Sequence, residues 1–351
     1  MDAPAIPVRN LYYLLCYAWD CLEPGELIDV SRLPYTELVD LLALALCEGV
    51  RHMARRGLDQ GYQAHEAVLA GVRGRVDLLA SARRFLPQHG QALCRFDELT
   101  VNTLPNQIIK TTLNRLSQEG TLDPHLRRQV ERLQRDLPGI ATMALSRQSF
   151  QRVQLAAHNR FYRFLLHICE ALHGAWLIDS ETGQYRFRDF RRDDRQMAKL
   201  FERFLFHFLR IELLDWQVKR QGILWKAESD SDPHLSLLPA MQTDISLRRG
   251  GQLAIIDAKF YRQTLSRHFD TPKIHHDNLY QLMSYLHNAP RQDGDRLTGM
   301  LIYPRVDQSL RQRYLIQGYP VAVATVDLDQ PWQAIKQELL EMMQWGLGNP
   351  A

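Results

Sequence analysis

Apolar residues recur at helical spacing near the start of the chain. Leu11, Leu14, Leu15 and Ala18 follow Ile6-Pro7-Val8-Arg9-Asn10, and Leu38, Leu41, Leu42, Ala45 and Leu46 follow Pro34. Two packing helices are expected there. Over residues 62–99 the apolar pieces shorten to Ala67-Val68-Leu69 and Arg75-Val76-Asp77-Leu78, separated by Gly71, Gly74 and Gly90, which predicts short strands and loops. Helical spacing returns over 106–116 and 124–137, and Pro138-Gly139 is the strongest break, so a linker is placed near 138–155. Beyond it the pattern predicts helices at 159–173, 193–214, 274–287 and 332–345. Strands are expected at 241–247, 253–259, 300–303, 314–316 and 321–326. The expected fold class is α/β (α+β). A mixed helix and strand domain spans 1–150, and a domain of 151–351 carries a small mixed sheet flanked by helices.

Length agrees with two domains, since 351 residues exceed what one core usually serves. With 45% hydrophobic and 24% charged residues the chain has an average globular composition. The formal charge of +3 is too small to announce a nucleic-acid partner, so any such contact must come from local clusters. Five cysteines without a CxxC pair fit a reducing compartment better than a disulfide framework. The apolar run of residues 11–19 is rich in Tyr and closed by Asp20, which suits a buried helix rather than a signal peptide. No run reaches the roughly 18 apolar residues of a membrane span. A cytoplasmic location without membrane contact is expected.

The strands around Gly250-Gly251 allow a geometric inference. A two-residue turn pairs residues whose numbers sum to 501, which sets Asp244 opposite Asp257, Ile245 opposite Ile256 and Leu247 opposite Ala254. One face of the hairpin should then be apolar and the other acidic, with Lys259 on the side of Asp257 because strand positions two apart share a face. Two facing carboxylates repel unless a cation lies between them, and hard oxygen ligands with room for water and phosphate suit Mg²⁺. Lys259 can then activate water or stabilise charge on a phosphate.

Asp244 followed by Asp257-Ala258-Lys259 resembles the PD-(D/E)XK nuclease motif, and Gln281-Leu282-Met283-Ser284-Tyr285 resembles the QxxxY helix of its RecB-like branch. That resemblance implies metal binding by Asp244, Asp257 and Ala258, an activating role for Lys259, and support from Gln281 and Tyr285. Glu202, ahead of the hairpin, stands where this superfamily often adds a supporting carboxylate, with Glu212 the competing choice. Ile6-Pro7-Val8-Arg9-Asn10-Leu11-Tyr12-Tyr13-Leu14-Leu15, Gly74-Arg75-Val76-Asp77, Phe96-Asp97-Glu98-Leu99, Asn106-Gln107-Ile108-Ile109-Lys110, Leu237-Leu238-Pro239, Asn278-Leu279-Tyr280-Gln281 and Leu301-Ile302-Tyr303-Pro304 resemble the McrC family, the nuclease subunits of McrBC restriction systems. The likeness covers essentially the whole chain. It implies a first domain that docks on a hexameric McrB-like AAA+ ring and stimulates its GTP hydrolysis. It further implies a second domain that cuts double-stranded DNA containing 5-methylcytosine, and leaves open whether complexes pair for double-strand cleavage. GTP would be bound by the partner, and this chain has no G-x-x-x-x-G-K-[ST] loop. The alternatives are a non-catalytic adaptor of the ring with a degenerate nuclease fold, or a RecB-like exonuclease acting alone.

The remaining motifs have structural explanations or are candidate phosphate contacts. Gly71-Val72-Arg73-Gly74 is read as a turn, and His275 and His276 as capping or surface residues. His167, Cys169 and His173 are not expected to bind zinc, because helical spacing separates Cys169 from His167. Arg186, Arg188, Arg191 and Arg192, and then Arg262, Arg267 and His268, are candidate phosphate contacts. Tyr12, Tyr13, Tyr17 and Trp19 are read as core.

Overall fold

The helical spacing after Arg9 becomes α1 (Val8–Ala18), and the run after Pro34 becomes α2 (Leu38–Arg56). This computed structural model describes residues 6–23, 37–155, 159–178, 185–261, 266–268, 271–306 and 308–348. The chain forms two compact units, Leu42–Arg188 and a second that joins Met1–Leu41 to Asp189–Ala351. The division therefore differs from the expected break near residue 150. The reason is visible in α1, whose buried aromatic face is completed by elements from the far end of the sequence.

In the unit Leu42–Arg188, β1 (Gly61–Leu69), β2 (Arg75–Val76) and β3 (Ala92–Thr100) form an antiparallel sheet in the order β1-β3-β2, with α3 (Leu78–Arg83) between β2 and β3. The two nine-residue strands are longer than the sequence pattern suggested, because most of β1 is exposed or half-buried and its pairing is not written in apolar alternation. Cross-strand contacts serve instead: Arg95 reaches Glu66 at 2.7 Å and Asp77 at 3.2 Å, and Arg73 lies over the Phe96 ring. Residues 71–74 form the expected turn between β1 and β2. Then follow α4 (Leu104–Ser117), α5 (Pro124–Arg135), α6 (Arg147–Gln151), α7 (Arg160–Ala175) and a hairpin of β4 (Trp176–Ile178) and β5 (Tyr185–Phe187). The short α6 lies inside the segment expected as linker. Asn106 ties this unit internally, donating to the carbonyls of Asp59 and Val101 and accepting from the Tyr162 hydroxyl.

The other unit continues from α1 with α8 (Asp194–Glu212), β6 (Gln217–Lys219), β7 (Gly222–Ile223), β8 (Met241–Gln242), β9 (Ile245–Arg249) and β10 (Gln252–Ala258). A hairpin of β11 (Ser266–His268) and β12 (Thr271–Lys273) precedes α9 (His276–Asn288), β13 (Arg296–Pro304), β14 (Arg311–Ile316), β15 (Tyr319–Val326) and α10 (Trp332–Leu347). Six strands form one mixed sheet in the order β14-β15-β13-β10-β9-β6, in which β13 runs parallel to both β10 and β15. Central strands of such a sheet are covered on both faces. On one face α9 buries Leu282, Tyr285 and Leu286 against Ile255, Leu301, Tyr303 and Val323. It comes so close at Gly299 that an added Cβ would meet Leu286 at 2.8 Å. The opposite face carries Ile256, Met300 and Ala322, and Gly346 of α10 approaches the last two.

There α1, α8 and α10 meet in an aromatic cluster. Tyr13 stacks on Trp332 at 4.8 Å, and Tyr17 packs on Phe204, Phe208 and Trp332. The core reading holds for Tyr12 and Tyr17, whereas Tyr13 and Trp19 are half-buried. Buried Asn10 donates to the carbonyls of Leu328 and Gln330 at 2.8 Å each. The Tyr17 hydroxyl donates to Glu212 at 2.6 Å, and Lys336 reaches the same carboxylate. Among the described residues no helix is long and apolar enough to cross a membrane. All five cysteines are buried thiols.

Candidate active site

The turn at Gly250-Gly251 has the expected register, with Gly250 at φ +56° and pairs running from Arg249–Gln252 to Ile245–Ile256. The ladder stops one pair before Asp244 and Asp257. Lys219 pairs with Ser246 and Gly222 pairs with Gln242, so residues 220 and 221 oppose three residues, 243 to 245. One extra residue on a strand is a β-bulge, which bends the strand and re-aims its side chains. Thr243, fully buried, fixes the bend: its amide donates to the Gln221 carbonyl, its hydroxyl oxygen accepts from the Gln221 amide at 3.1 Å, and its hydroxyl lies 2.8 Å from that of Ser246. Just beyond the ladder, Asp244 stays close enough to Asp257 for the two carboxyls to interact. Its Oδ2 accepts from the amide of Ala258 at 3.0 Å.

Asp257 follows Leu253 and Ile255 on the face beneath α9, so that face is apolar along the strand and becomes acidic only at its end. This corrects the expected division into one apolar and one acidic face. Asp257 is fully buried, and Lys259 Nζ lies 3.0 Å from its Oδ1 and 2.9 Å from its Oδ2. Burial raises the Asp257 carboxyl to about 7, with Asp244 adding to the rise and Lys259 opposing it. Burial alone would lower the Lys259 ammonium, but Asp257 and Asp244 outweigh it and hold it above its ordinary value.

Three further groups gather at this end of the sheet. Glu202 of α8 pairs with Arg220 at 2.8 Å, and its carboxyl is raised by burial and by Asp244, with Arg220 and Lys259 opposing. Gln281 Nε2 donates to the Tyr285 hydroxyl at 2.7 Å, and that hydroxyl donates to the Gln242 carbonyl at 3.0 Å, just ahead of the bulge. Glu212, the competing carboxylate, is engaged with Tyr17 and Lys336 instead.

A divalent cation has a physical case here. Asp257 Oδ2 is buried without an aligned hydrogen bond, despite the nearby ammonium. The Asp257 carboxylate, the Asp244 carboxylate that interacts with it and the main-chain carbonyl of Ala258, the next residue in the chain, offer a donor set of hard oxygens. Among the described residues no group of three or more His, Cys, Asp and Glu side chains gathers to hold a metal, so the set would depend on that carbonyl and on water.

The sequence matches the McrBC 5-methylcytosine restriction system component family over residues 7–304. The chain belongs to the McrBC family. It is 38% identical to the type IV methyl-directed restriction enzyme EcoKMcrBC of Escherichia coli (strain K12) over 342 residues, 97% of this chain and 98% of the relative. Its fold resembles one in a half-complex from the tetradecameric assembly of Thermococcus gammatolerans McrB AAA+ hexamers with bound McrC. The TM-score is 0.59 at 17% identity, covering 96% of this chain and 76% of the other.

In this McrBC-family chain several residues beside the site escaped the sequence reading. Thr243 and Ser246 look like ordinary strand residues, and nothing in the pattern announces a bulge. Asn278 accepts from the Tyr261 hydroxyl at 2.9 Å and donates to the Tyr303 hydroxyl at 3.1 Å; Asn278 and Tyr303 fall in segments that carried the family resemblance, whereas Tyr261 does not. His275 stacks on Tyr261 and makes no side-chain cap, whereas His276 is exposed beside Asp277. Of the basic clusters, Arg191 is paired with Asp189. The side chains of Arg186, Arg192, Arg262, Arg267 and His268 lie outside the described residues. His167 faces Glu170, and His173 lies 3.1 Å from Arg115.

Proposed function

We propose that this McrBC-family chain is the Mg²⁺-dependent DNA endonuclease subunit of a GTP-driven restriction complex that cleaves DNA containing methylated cytosine. The observation that carries the reading is the buried Asp257 carboxylate, with one oxygen lacking an aligned hydrogen bond, flanked by Asp244 and Lys259. Asp244, Asp257 and the Ala258 carbonyl would hold the cation, in the manner of PD-(D/E)XK nucleases. Once bound, Mg²⁺ would supply an activated water and charge compensation at the phosphate. Lys259 orients the Asp257 carboxylate and places a positive charge beside the developing phosphorane charge. Tyr285, braced by Gln281, holds the strand that leads into Asp244. Glu202 adds negative charge on the side of Asp244.

The Thermococcus gammatolerans neighbour is described with McrB AAA+ hexamers, which supports a similar GTP-binding ring as partner of this chain. The unit Leu42–Arg188 is the part we assign to docking and GTPase stimulation, with the catalytic groups left to the other unit. A cytoplasmic restriction complex follows from this reading. The test is cleavage of methylated plasmid with Mg²⁺, GTP and the ring, comparing wild type with Asp244→Ala and Lys259→Ala while following GTP turnover. Loss of cutting with stimulation retained supports a nuclease subunit. Equal cutting by all three proteins overturns the assignment of this site.

A further inference from the structure

Arg220 is a cation that neither the metal nor Asp257 requires. It precedes Gln221, whose main chain is fastened to Thr243 on both sides, and so it stands next to the bulge that aims Asp244. Arg220 faces the bulged stretch itself: the β7–β8 register carried past Gln221–Thr243 sets it across from Asp244, and the β6–β9 register carried past Lys219–Ser246 sets it across from Ile245. Its guanidinium rests 5.3 Å from the Phe206 ring centroid and contacts Glu202 through Nη2. Its side chain is 37% exposed, compared with 19% for Lys259, which is turned inward onto Asp257.

The charged groups that act on one another here include three carboxylates, Asp244, Asp257 and Glu202, and the cations Lys259, Arg220 and Arg203. A phosphodiester approaching them meets a cluster of carboxylates, and the inner cation is already engaged by buried Asp257. A planar guanidinium, prealigned on an aromatic ring at the rim, suits a phosphate, which it can bind bidentately. Glu202 keeps that group in place and competes for it. We propose that Arg220 is a ligand of the substrate's DNA phosphate, held at the rim of the acidic site by Glu202 until phosphate displaces that carboxylate. This inference rests on the nuclease reading above for the identity of the anion as DNA.

The test is binding of the full chain to a fluorescent 30-base-pair duplex in EDTA across a salt series, so that metal and cleavage drop out. Arg220→Gln is expected to weaken binding about tenfold and to flatten the slope of log K against log salt by about 0.9, the loss of one phosphate contact. Arg220→Lys should retain the slope. Glu202→Gln should tighten binding about threefold or more, and the gain should vanish in the double variant, as for a direct competitor. Wild-type affinity and slope in a folded Arg220→Gln protein overturn the proposal, as does a Glu202→Gln gain that survives removal of Arg220. Cleavage with Mg²⁺ and the ring, run in parallel, separates the two readings. A wild type that never cuts counts against the nuclease assignment, whereas a cutting wild type with unchanged binding by Arg220→Gln counts against this inference alone.

Discussion

The Asp244 carboxylate accepts a hydrogen bond from the amide of Ala258 at 3.0 Å because its strand holds one residue more than its neighbour between residues 219 and 222. The bulge thus brings the first carboxylate to the end of β10, where Asp257 is buried. Thr243 is its principal brace. Thr243→Val keeps the shape and removes the hydroxyl, leaving the Gln221 amide without its side-chain acceptor. We expect a loss of about 1–3 kcal/mol in stability and a higher Mg²⁺ requirement for cleavage. Urea unfolding and a Mg²⁺ titration of cutting would measure both. A variant with wild-type Mg²⁺ dependence would separate the bulge from the metal site.

Asp257 makes the metal-free protein less stable as pH rises. An unfolded aspartate titrates near 3.9, whereas burial raises the folded group to about 7. The folded state therefore holds this proton more tightly. Its contribution is fully favourable at low pH and is lost as pH rises from about 4 to 7, by something on the order of 2–4 kcal/mol. Asp257→Asn should remove that loss and abolish cleavage. Denaturant midpoints in EDTA at pH 5 and 8 would show wild type falling relative to the variant. Parallel midpoints for the two proteins would remove the buried carboxylate from the account.

Tyr285 joins α9 to the approach of Asp244. Tyr285→Phe deletes a donor to the Gln242 carbonyl and an acceptor for Gln281. We expect about 1–2 kcal/mol of destabilisation and a five- to fiftyfold lower single-turnover cleavage rate, as for a misplaced supporting strand rather than a lost ligand. Gln281→Ala should do less, because the bond to Gln242 survives. Equal, complete loss in both variants would indicate a direct catalytic role instead.

The acidic hairpin was legible because a Gly-Gly turn fixes register, and the pairs from Arg249–Gln252 to Ile245–Ile256 follow from turn length alone. The QxxxY pair was legible because four residues bring Gln281 and Tyr285 onto one helix face. The bulge was not, since Met241 to Leu247 reads as one unbroken strand and the extra residue shows only against its partner. Arg220 was missed for the same reason: its place depends on pairing across the bulge. The domain boundary was misplaced because local periodicity identifies α1 as a packing helix without saying what it packs on. Its aromatic face is completed by Phe204, Phe208 and Trp332, roughly 200 to 300 residues away.

That last relationship leads to a prediction about the N-terminal segment. Asn10 is buried and satisfies the carbonyls of Leu328 and Gln330, which precede α10. Asn10→Ala would leave both carbonyls without that donor at a packed junction, a loss of about 1–3 kcal/mol. If α1 belonged to a separate docking domain, the variant would loosen residues within the first 150 and leave the sheet of β9, β10 and β13 untouched. If it belongs with the sheet, amide exchange should quicken in α8, α10 and β15, and Mg²⁺-dependent cleavage should become more heat-labile. GTPase stimulation, assigned to Leu42–Arg188, should survive at temperatures where cutting is already lost. Exchange measurements on the full chain distinguish the two, because they report where the destabilisation falls as well as how large it is.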